Sequence, residues 1–373
     1  MLREIEDNPL VRALSEALSG LDVYLVGGVV RDALLGKPCL DVDAVLVPKA
    51  DPPGEFKRAL SLLEKRFGIR GIKSQFFTGK FSLGEGEVDL ALARTEEYPE
   101  PGSLPAVRPA FSLEEDLRRR DFTVNAIALS MSGQMIDPLG GEDDLRARVL
   151  RVIYRGSFKD DPTRALRAIR YRYQLGFSYA RETEEEFALA RKHMASVSFE
   201  RIKHELERSS ERPERMKIWP EMVQRGLLRG KIPSIGVLEA LSERVGFTAD
   251  SWVMFYGLIS EDIPVGLTRK ERGILSHIIA NKLKEFSCLS EAHEALRKAP
   301  DEAILVLGVL NPLLEDYRKM RPVAKPLIKA EEMEEMGFVG AKLGRAILEL
   351  EKARLEGKLK TRAEEADFLR GLS

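Results

Sequence analysis

The most informative hydrophobic pattern in the chain lies between Val23 and Val47. A short apolar, β-branched run begins at Val23 and breaks at the pair Gly27 and Gly28. The chain continues with helical spacing to Gly36, and a second apolar run follows. This pattern predicts a strand, a glycine turn, a helix and a second strand in close succession.

The pattern after this unit alternates between helix and strand for about sixty residues. Residues 56–67 have helical spacing, and the runs 74–83 and 87–93 have strand character. Residues 96–112 contain four prolines, a density that predicts a loop without regular elements. A loop of this length inside a compact domain is typical of a functional segment.

Helical patterns dominate the rest of the chain. Asp161 and Pro162 are typical of a helix start, and Gly176 is typical of its end. From about residue 210 onward the pattern predicts one helix after another, including residues 268–286 and a last helix opened by a capping box at 361–364. The fold class is therefore α+β, with a small mixed sheet in the first part and helices in the remainder.

Composition restricts the classes of protein that fit this pattern. A chain of 373 residues can bury a large core and suggests two or three domains. Its 59 Lys and Arg residues almost balance its 60 Asp and Glu residues, which argues against a protein that coats nucleic acid through bulk charge. A local basic groove is still compatible with this balance.

The cysteines and the N-terminus indicate the compartment. Cys39 and Cys288 cannot form a disulfide framework, and their surroundings lack a zinc-binding spacing. The first residues include acids where a signal peptide carries bases, and no apolar run reaches membrane-spanning length. We therefore expect a cytoplasmic protein.

The glycine turn and the acids that follow it suit a nucleoside triphosphate. Gly27 and Gly28 allow backbone N–H groups to approach a phosphate chain at the start of a helix. Asp41 and Asp43 are two residues apart at a strand, so both carboxylates project from the same face. Together they predict a site for a triphosphate and the Mg²⁺ that accompanies it, although each feature alone is more often a plain turn or a solvated edge.

A row of arginines follows the helix start at Asp161. Arg164, Arg167 and Arg170 recur every third residue, which predicts one continuous flank of the helix. Beside a phosphate site, such a flank is a plausible nucleotide platform. Asp161 itself has two interpretations from the sequence, a helix cap and a functional carboxylate.

At these residues the chain resembles the class II tRNA nucleotidyltransferases, which repair the 3′ end of tRNA, and the related bacterial poly(A) polymerases. The first signature is Gly27-Gly28-x-x-Arg31-Asp-x-x-Leu followed by Asp41-x-Asp43. The resemblance implies that Asp41 and Asp43 bind Mg²⁺ and that Gly27, Gly28 and Arg31 hold the triphosphate. Asp89 matches a third carboxylate near the metal pair, where the family more often has Glu; a half-buried strand with an outward acid is its alternative interpretation.

Two further signatures extend the resemblance. The segment Arg119-Arg120-Asp121-Phe-Thr-x-Asn125 matches the second one, which implies that one of the two arginines contacts the nucleotide and that Asp121 and Asn125 hold the ribose and the site. Asp160-Asp161-x-x-Arg164 matches the base-reading motif, with Asp160 in place of the usual Glu.

The base-reading motif has a physical logic that needs no template strand. A carboxylate accepts from an exocyclic amine, and a guanidinium donates to the neighbouring ring nitrogen. Cytosine and adenine both present this amine and acceptor, whereas uracil and guanine present a carbonyl and a ring N–H. One Asp/Arg pair can thus select C and A.

The resemblance implies a nucleotidyltransferase head at residues 1–145, a helical neck with the base-reading helix at 146–210, and a helical body and tail at 211–373 that bind tRNA. ATP and CTP are the expected substrates. The segment before Arg119 favours an enzyme able to add A, either A alone or the full CCA end, over one limited to CC. Poly(A) synthesis and a non-catalytic RNA-binding protein on the same scaffold are the alternatives.

Overall fold

The computed structural model describes residues 5, 8–38, 41–73, 77–83 and 86–372. The chain forms two compact units, Met1–Ile202 and Lys203–Ser373. The three-part division predicted at residues 145 and 210 stays a prediction. Cys39 and the first residues of the predicted run 74–83 lie outside the described residues.

The first unit is built around a mixed sheet whose strands lie between Val23 and Ile136. The strands of this unit are β1 Val23–Val26, β2 Val42–Leu46, β3 Gly68–Lys73, β4 Thr78–Leu83, β5 Gly86–Leu92, β6 Arg94–Glu97, β7 Ala106–Pro109, β8 Ala128–Ser130, β9 Met135–Ile136, β10 Val149–Leu150 and β11 Ser178–Tyr179. Seven of them form one sheet in the order β3-β4-β5-β2-β1-β8-β9. Within it β2 and β5 are parallel and the other neighbours are antiparallel.

Helices flank these strands and continue to the end of the unit. They are α1 Pro9–Ala17, α2 Gly28–Leu34, α3 Pro52–Glu64, α4 Leu113–Arg118, α5 Gly141–Ala147, α6 Ser157–Asp160, α7 Thr163–Leu175, α8 Arg181–His193 and α9 Phe199–Ser210. The predicted order of strand, glycine turn, helix and strand is confirmed by β1, α2 and β2. The sheet buries Leu25, Val45 and Leu90 almost completely, which fixes the strands that carry the site.

The prediction that residues 96–112 contain no regular element was wrong, because two strands enter this segment. Strands β6 and β7 pair antiparallel, with Arg94 opposite Pro109 and Glu97 opposite Ala106. They form a separate two-stranded ribbon, called the hairpin below. Proline lacks an N–H donor, but a ribbon this narrow leaves one side of each strand unpaired, and Pro109 sits at a strand end.

The second unit is helical throughout its described part. Its helices are α10 Arg215–Gln224, α11 Ile235–Arg244, α12 Trp252–Ile259, α13 Arg269–Asn281, α14 Leu289–Leu296, α15 Asp301–Leu310, α16 Pro312–Met320, α17 Ala330–Glu335, α18 Ala341–Leu355 and α19 Arg362–Leu372. The predicted α+β class is confirmed. The capping box before α19 is also confirmed, because Thr361 Oγ1 accepts from the Glu364 N–H while the Glu364 carboxylate accepts from the Thr361 N–H.

The helix predicted at residues 268–286 ends earlier than expected, at Asn281. Leu283, predicted on its apolar face, lies beyond the helix and is 89% exposed. Lys282 donates to the carbonyl oxygens of Gly257 and Ser260 near the end of α12, so its side chain caps the C-terminus of that helix. Among the described residues, no helix is long and apolar enough to span a membrane.

Candidate active site

A cavity of about 400 Å³ lies within the first unit, and the predicted signatures meet there. Its walls come from the glycine turn, β2, the hairpin, the segment after α4, and α7. The residues that line it are Gly27, Gly28, Asp43, Arg94, Glu96, Tyr98, Pro105, Arg119, Arg120, Asp121, Asn125, Asp161, Arg164, Arg167, Tyr171 and Arg201. Ten of the predicted site residues are therefore brought together, although they span more than 130 positions of sequence.

The glycine turn is shaped by both its backbone and its neighbours. Gly27 has φ +73°, a conformation that side chains disfavour. A methyl group at Gly27 would lie 3.3 Å from Arg120 Nη1 and 3.5 Å from Asp43 Oδ2. Glycine thus lets the turn approach the arginine and the carboxylate closely.

The carboxylates lie where β2 and β5 run side by side. Asp43 pairs in register with Asp89, so both side chains project from the same face of the sheet. Lys80 on β4 is opposite Asp89, and its Nζ lies 2.6 Å from Asp89 Oδ2. Asp41 precedes β2, and its Oδ1 accepts from the Glu87 N–H at 3.2 Å.

The surroundings of Asp43 disfavour its negative charge. The protein atoms around the side chain raise the pKa of its carboxyl, and the carboxylates of Asp89 and Asp41 raise it further. Arg120 and Lys80 oppose this effect only in part. Clustered carboxylates that share such a site have the chemistry of a cation site.

Asp116, a carboxylate that the sequence analysis missed, positions the arginine pair. It is completely buried on α4. Asp116 Oδ1 accepts from Arg119 Nε at 2.9 Å and from the Arg94 N–H at 3.2 Å, and Asp116 Oδ2 accepts from Arg120 Nη2 at 2.8 Å. Burial alone raises the pKa of a carboxyl, but the guanidiniums of Arg120 and Arg119 outweigh burial and hold the pKa of Asp116 below its usual range.

Asp121 and Asn125 form the cavity wall next to the arginine pair. Asp121 accepts from Asn125 Nδ2 and from Arg167 Nη1, each at 2.9 Å. Asn125 Oδ1 in turn accepts from Arg31 Nη1 at 2.7 Å. Burial acts to raise the pKa of Asp121, but the charge of Arg167 and the Asn125 hydrogen bond keep it lowered. Both predicted residues are therefore held in fixed positions.

The base-reading pair lies at the start of α7. Asp161 Oδ1 accepts from the Thr163 N–H at 3.0 Å and from Thr163 Oγ1 at 2.6 Å, and it forms an ion pair with Arg201 Nη2 at 2.7 Å. Within the described part of the chain, no hydrogen bond goes to Asp161 Oδ2. The helix-start interpretation of Asp161 is thus observed, and the same side chain still has an oxygen left to accept from a ligand.

Arg164 is buried between two tyrosine rings. Its Cζ lies 5.8 Å from the ring centre of Tyr98 and 5.7 Å from that of Tyr154. Nη1 donates to Ser157 Oγ at 2.7 Å, and Nη2 donates to the Arg119 carbonyl oxygen at 2.8 Å. The described residues place no carboxylate in direct contact with this guanidinium, which is unusual for a buried cation.

Comparison with known proteins finds relatives of this chain among the tRNA nucleotidyltransferases. Residues 23–151 match the family model of the poly A polymerase head domain. The chain is 31% identical to an A-adding tRNA nucleotidyltransferase of Aquifex aeolicus, over 89% of this chain and 44% of that protein. It is 27% identical to an A-adding tRNA nucleotidyltransferase of Halalkalibacterium halodurans, over 97% of this chain and 91% of that protein.

Over most of its length the chain is therefore similar to tRNA nucleotidyltransferases, the family that its signature motifs resemble. Its fold agrees, because a solved CCA-adding enzyme superposes with a TM-score of 0.78 at 24% identity, covering 99% of this chain and 98% of that one. The chain spans less than half the length of the Aquifex relative.

Nucleotidyltransferases of this family generally use divalent metal ions. The residues present fit such an ion, because Asp89 Oδ1 is buried on the face that carries Asp43 and has no hydrogen-bond partner among the described residues. Among the described residues, however, no three His, Cys, Asp or Glu side chains converge as a ready metal cluster. Asp89 and Asp41 both raise the pKa of Asp43, so the three carboxylates act on one another, but the ion's set of ligands stays a prediction.

Two arginines predicted to bind nucleotide, Arg31 and Arg170, lie outside the cavity wall. Arg31 is buried, with Nε and Nη2 on Asp32 and Nη1 on Asn125, so its contacts position the wall. Arg170 is buried, and its Cζ lies 4.6 Å from the ring centre of Tyr171. Three residues rotate an α-helix by about 300°, so each arginine lies about 60° around the helix from the one before it. Arg170 therefore faces away from the cavity that Arg164 and Arg167 line. Direct nucleotide contact by either residue stays a prediction.

The cavity wall also contains Glu96, Tyr98 and Arg201, which the sequence patterns did not indicate as site residues. Glu96 joins Arg119 Nη1 at 2.8 Å and accepts from the Tyr98 hydroxyl at 3.1 Å. Arg201 Nη1 donates to the Gly102 carbonyl oxygen at 2.7 Å and so ties the hairpin to Asp161. A local signal existed only for Asp116, which stands three and four residues before the arginine pair.

Proposed function

We propose that this protein transfers nucleotides from ATP or CTP to the 3′-hydroxyl of tRNA, with release of pyrophosphate, and that A is among the nucleotides it adds. One observation carries the proposal. A single cavity holds the glycine turn and Asp43 together with Asp161 and Arg164, so the site for triphosphate chemistry and the pair that reads the base face the same ligand.

Base selection rests on Asp161 and Arg164. Asp161 Oδ2 accepts from the exocyclic amine of C or A, while the Arg164 guanidinium donates to the adjacent ring nitrogen. U and G would set a carbonyl against the carboxylate and a ring N–H against the guanidinium. Each buried polar group left unpaired costs about 1–3 kcal/mol, so two mismatches reject these bases strongly.

The metal in this proposal is Mg²⁺, held by Asp41 and Asp43 with Asp89 beside them. When bound, Mg²⁺ lowers the pKa of the attacking hydroxyl and offsets charge on the leaving group. Gly27 and Gly28 offer backbone N–H groups to the phosphates, and Arg120, fixed by Asp116, adds positive charge. The reaction forms one bond from the 3′ oxygen to the α-phosphorus and breaks the bond from the α-phosphorus to the pyrophosphate oxygen.

The choice of A-addition is supported by two observations. Both sequence relatives compared above are A-adding tRNA nucleotidyltransferases. The segment whose presence favours A-addition forms the ordered hairpin here, and its Tyr98 lines the cavity. Addition of A alone and of the complete CCA end are both compatible with these observations. tRNA, ATP and CTP place the reaction in the cytoplasm.

The test is an extension assay resolved to one nucleotide. Purified protein and Mg²⁺ are incubated with tRNA transcripts that end before CCA, after C and after CC, with CTP, ATP or both. We expect A to be added to the transcript ending in CC. Extension by C alone would overturn the A-adding proposal, long A tails on unrelated RNA would establish poly(A) synthesis instead, and no extension of any transcript would leave a non-catalytic RNA-binding protein.

A further inference from the structure

The hydrogen bonds of Arg164 conflict with its proposed task. A guanidinium has five N–H donors, of which four are on the terminal nitrogens. Nη1 donates to Ser157 Oγ and to the Tyr154 hydroxyl, and Nη2 donates to the Arg119 carbonyl oxygen and to the Tyr98 hydroxyl. All four terminal hydrogens are therefore engaged by the protein, and only Nε–H has no acceptor among the described residues.

The four bonds differ in length. Those to Ser157 and to the Arg119 carbonyl oxygen are short, at 2.7 and 2.8 Å. Those to the Tyr154 and Tyr98 hydroxyls are long, at 3.2 and 3.4 Å, near the limit at which a hydrogen bond contributes. The short bonds fix the guanidinium, and the long bonds are the ones a ligand can replace.

Only one of the two tyrosines is in reach of a ligand. Tyr98 lines the cavity, whereas Tyr154 does not belong to its wall. The Tyr98 hydroxyl donates to Glu96 Oε2 at 3.1 Å, so it offers its lone pair to Arg164, as a ring nitrogen of a base would. Tyr154 makes the matching arrangement with Asp160 Oδ2, at 3.0 Å, away from the cavity.

We propose that the Tyr98 hydroxyl is a place-holder for the ring nitrogen of the incoming base. It satisfies Arg164 Nη2 in the nucleotide-free protein, and N3 of CTP or N1 of ATP displaces it. Arg164 then reads the base with Nη2–H, which donates to the ring nitrogen. This inference rests on the proposed function and adds to it a residue that sets the affinity for the nucleotide.

The place-holder makes a prediction opposite to that of an ordinary positioning residue. Tyr98→Phe keeps the ring beside Arg164 but removes the competing acceptor. The nucleotide-free protein then has an unsatisfied Arg164 N–H, whereas the bond from the Tyr98 hydroxyl to Glu96 is lost from the free and the bound state alike. We expect CTP and ATP to bind about two- to tenfold more tightly, because the competing hydrogen bond is no longer broken on binding. The preference for CTP and ATP over UTP and GTP stays unchanged.

Tyr154→Phe is the matched control. It removes the same kind of acceptor from the same guanidinium, but on the side that a base cannot reach, so affinity should be unchanged or weaker. Binding is measured by isothermal titration calorimetry of the full chain with Mg²⁺ and CTP or ATP, without tRNA so that no transfer occurs. Thermal unfolding checks that each variant is folded.

The outcomes separate this inference from the proposed function. Tighter binding by Tyr98→Phe, with none by Tyr154→Phe, supports the place-holder. If the unaltered protein binds CTP and ATP but Tyr98→Phe binds them equally or more weakly, the place-holder is wrong and the proposed function stands. If the unaltered protein binds neither nucleotide, the proposed function is overturned together with this inference.

Discussion

At the scale of single residues, Asp43 shows how a functional group can oppose stability. Its pKa is raised by burial and by the neighbouring Asp89, which means that the folded protein disfavours the ionised carboxylate. Asp43→Asn should lower the proposed nucleotide addition by at least about a thousandfold, because the predicted metal ligand is lost. In a chelator, its melting temperature should equal or exceed that of the unaltered protein, since the neutral amide relieves the charge cluster.

Asp143→Asn provides the control for this exchange. Asp143 lies on the surface of α5 with its side chain 86% exposed, so the same chemical change there should alter neither activity nor stability measurably. Addition rates and thermal unfolding of both variants are compared. An Asp43→Asn protein that keeps most of its activity would exclude Asp43 from the metal site.

Asp161 carries two roles that one substitution can separate. In Asp161→Asn the Thr163 N–H and Oγ1–H still require an acceptor, so the amide oxygen stays at the helix start and the amide nitrogen takes the place of Oδ2. A donor now faces the base where an acceptor stood. We expect discrimination of CTP against UTP to fall by about tenfold or more, measured as the ratio of kcat/KM values.

Thr163→Ala tests the helix-start role alone. It removes the hydroxyl that donates to Asp161 but keeps the carboxylate, so it should cost about 0.5–2 kcal/mol of stability without changing base discrimination. If Asp161→Asn also lost only stability, Asp161 would be a helix cap and the base would be read elsewhere.

The residues that were predicted and those that were missed differ in the range of their contacts. Gly27, Asp43 and the pair Asp161 and Arg164 belong to short motifs whose spacing is visible in the sequence. Tyr98 and Arg201 act through partners far along the chain, since Tyr98 meets Arg164 and Arg201 meets the Gly102 carbonyl oxygen. Such contacts depend on the tertiary fold, so no local pattern predicts them.

At the scale of elements, the hairpin is fixed at its tip by Gly102. Its φ is +77°, its N–H donates to the Asp160 carbonyl oxygen, and a methyl group there would lie 2.9 Å from Ser196 Oγ. Gly102→Ala should therefore shift the hairpin, carry Tyr98 out of place and change KM for CTP and ATP. It should also destabilise the protein by about 1–2 kcal/mol, because alanine disfavours positive φ.

Gly36→Ala is the control that separates the effect of backbone strain from the effect of displacing the hairpin. Gly36 has φ +68°, but none of the described residues lies within 4 Å of an added methyl group. Both variants should therefore lose similar stability from strain, while only Gly102→Ala alters KM. Equal KM values for the two variants would show that the hairpin tip does not set the cavity.

The hairpin also shows why element prediction failed at one place. Proline density is a sound signal for irregular structure, but it does not distinguish a proline inside a strand from one at its end. Pro109 ends β7, while Pro99, Pro101 and Pro105 lie between the two strands. Residues 94–97 pair with residues 106–109, so their backbone groups find hydrogen-bond partners in the hairpin. The fold thus overrides the preference of this proline-rich segment for irregular structure.

At the scale of the whole molecule, the nucleotide site belongs to one unit. Every residue lining the cavity lies at or before Arg201, within the first unit. The second unit has its own buried clusters, one around Leu296 and Tyr317 and another around Leu350 and Leu369. Each unit therefore has the core it needs to unfold as a separate cooperative region.

This division predicts where a nucleotide stabilises the chain. A ligand that binds only the folded site adds about 2.7 kcal/mol at a concentration one hundred times its Kd. Hydrogen exchange with and without CTP should therefore slow for amides of residues 8–202, in proportion to that gain, and stay unchanged for residues 203–372. Adding tRNA should slow exchange on the helical second unit as well, because the proposed substrate is larger than the cavity. Equal slowing of both units by CTP alone would show instead that they unfold as one cooperative body.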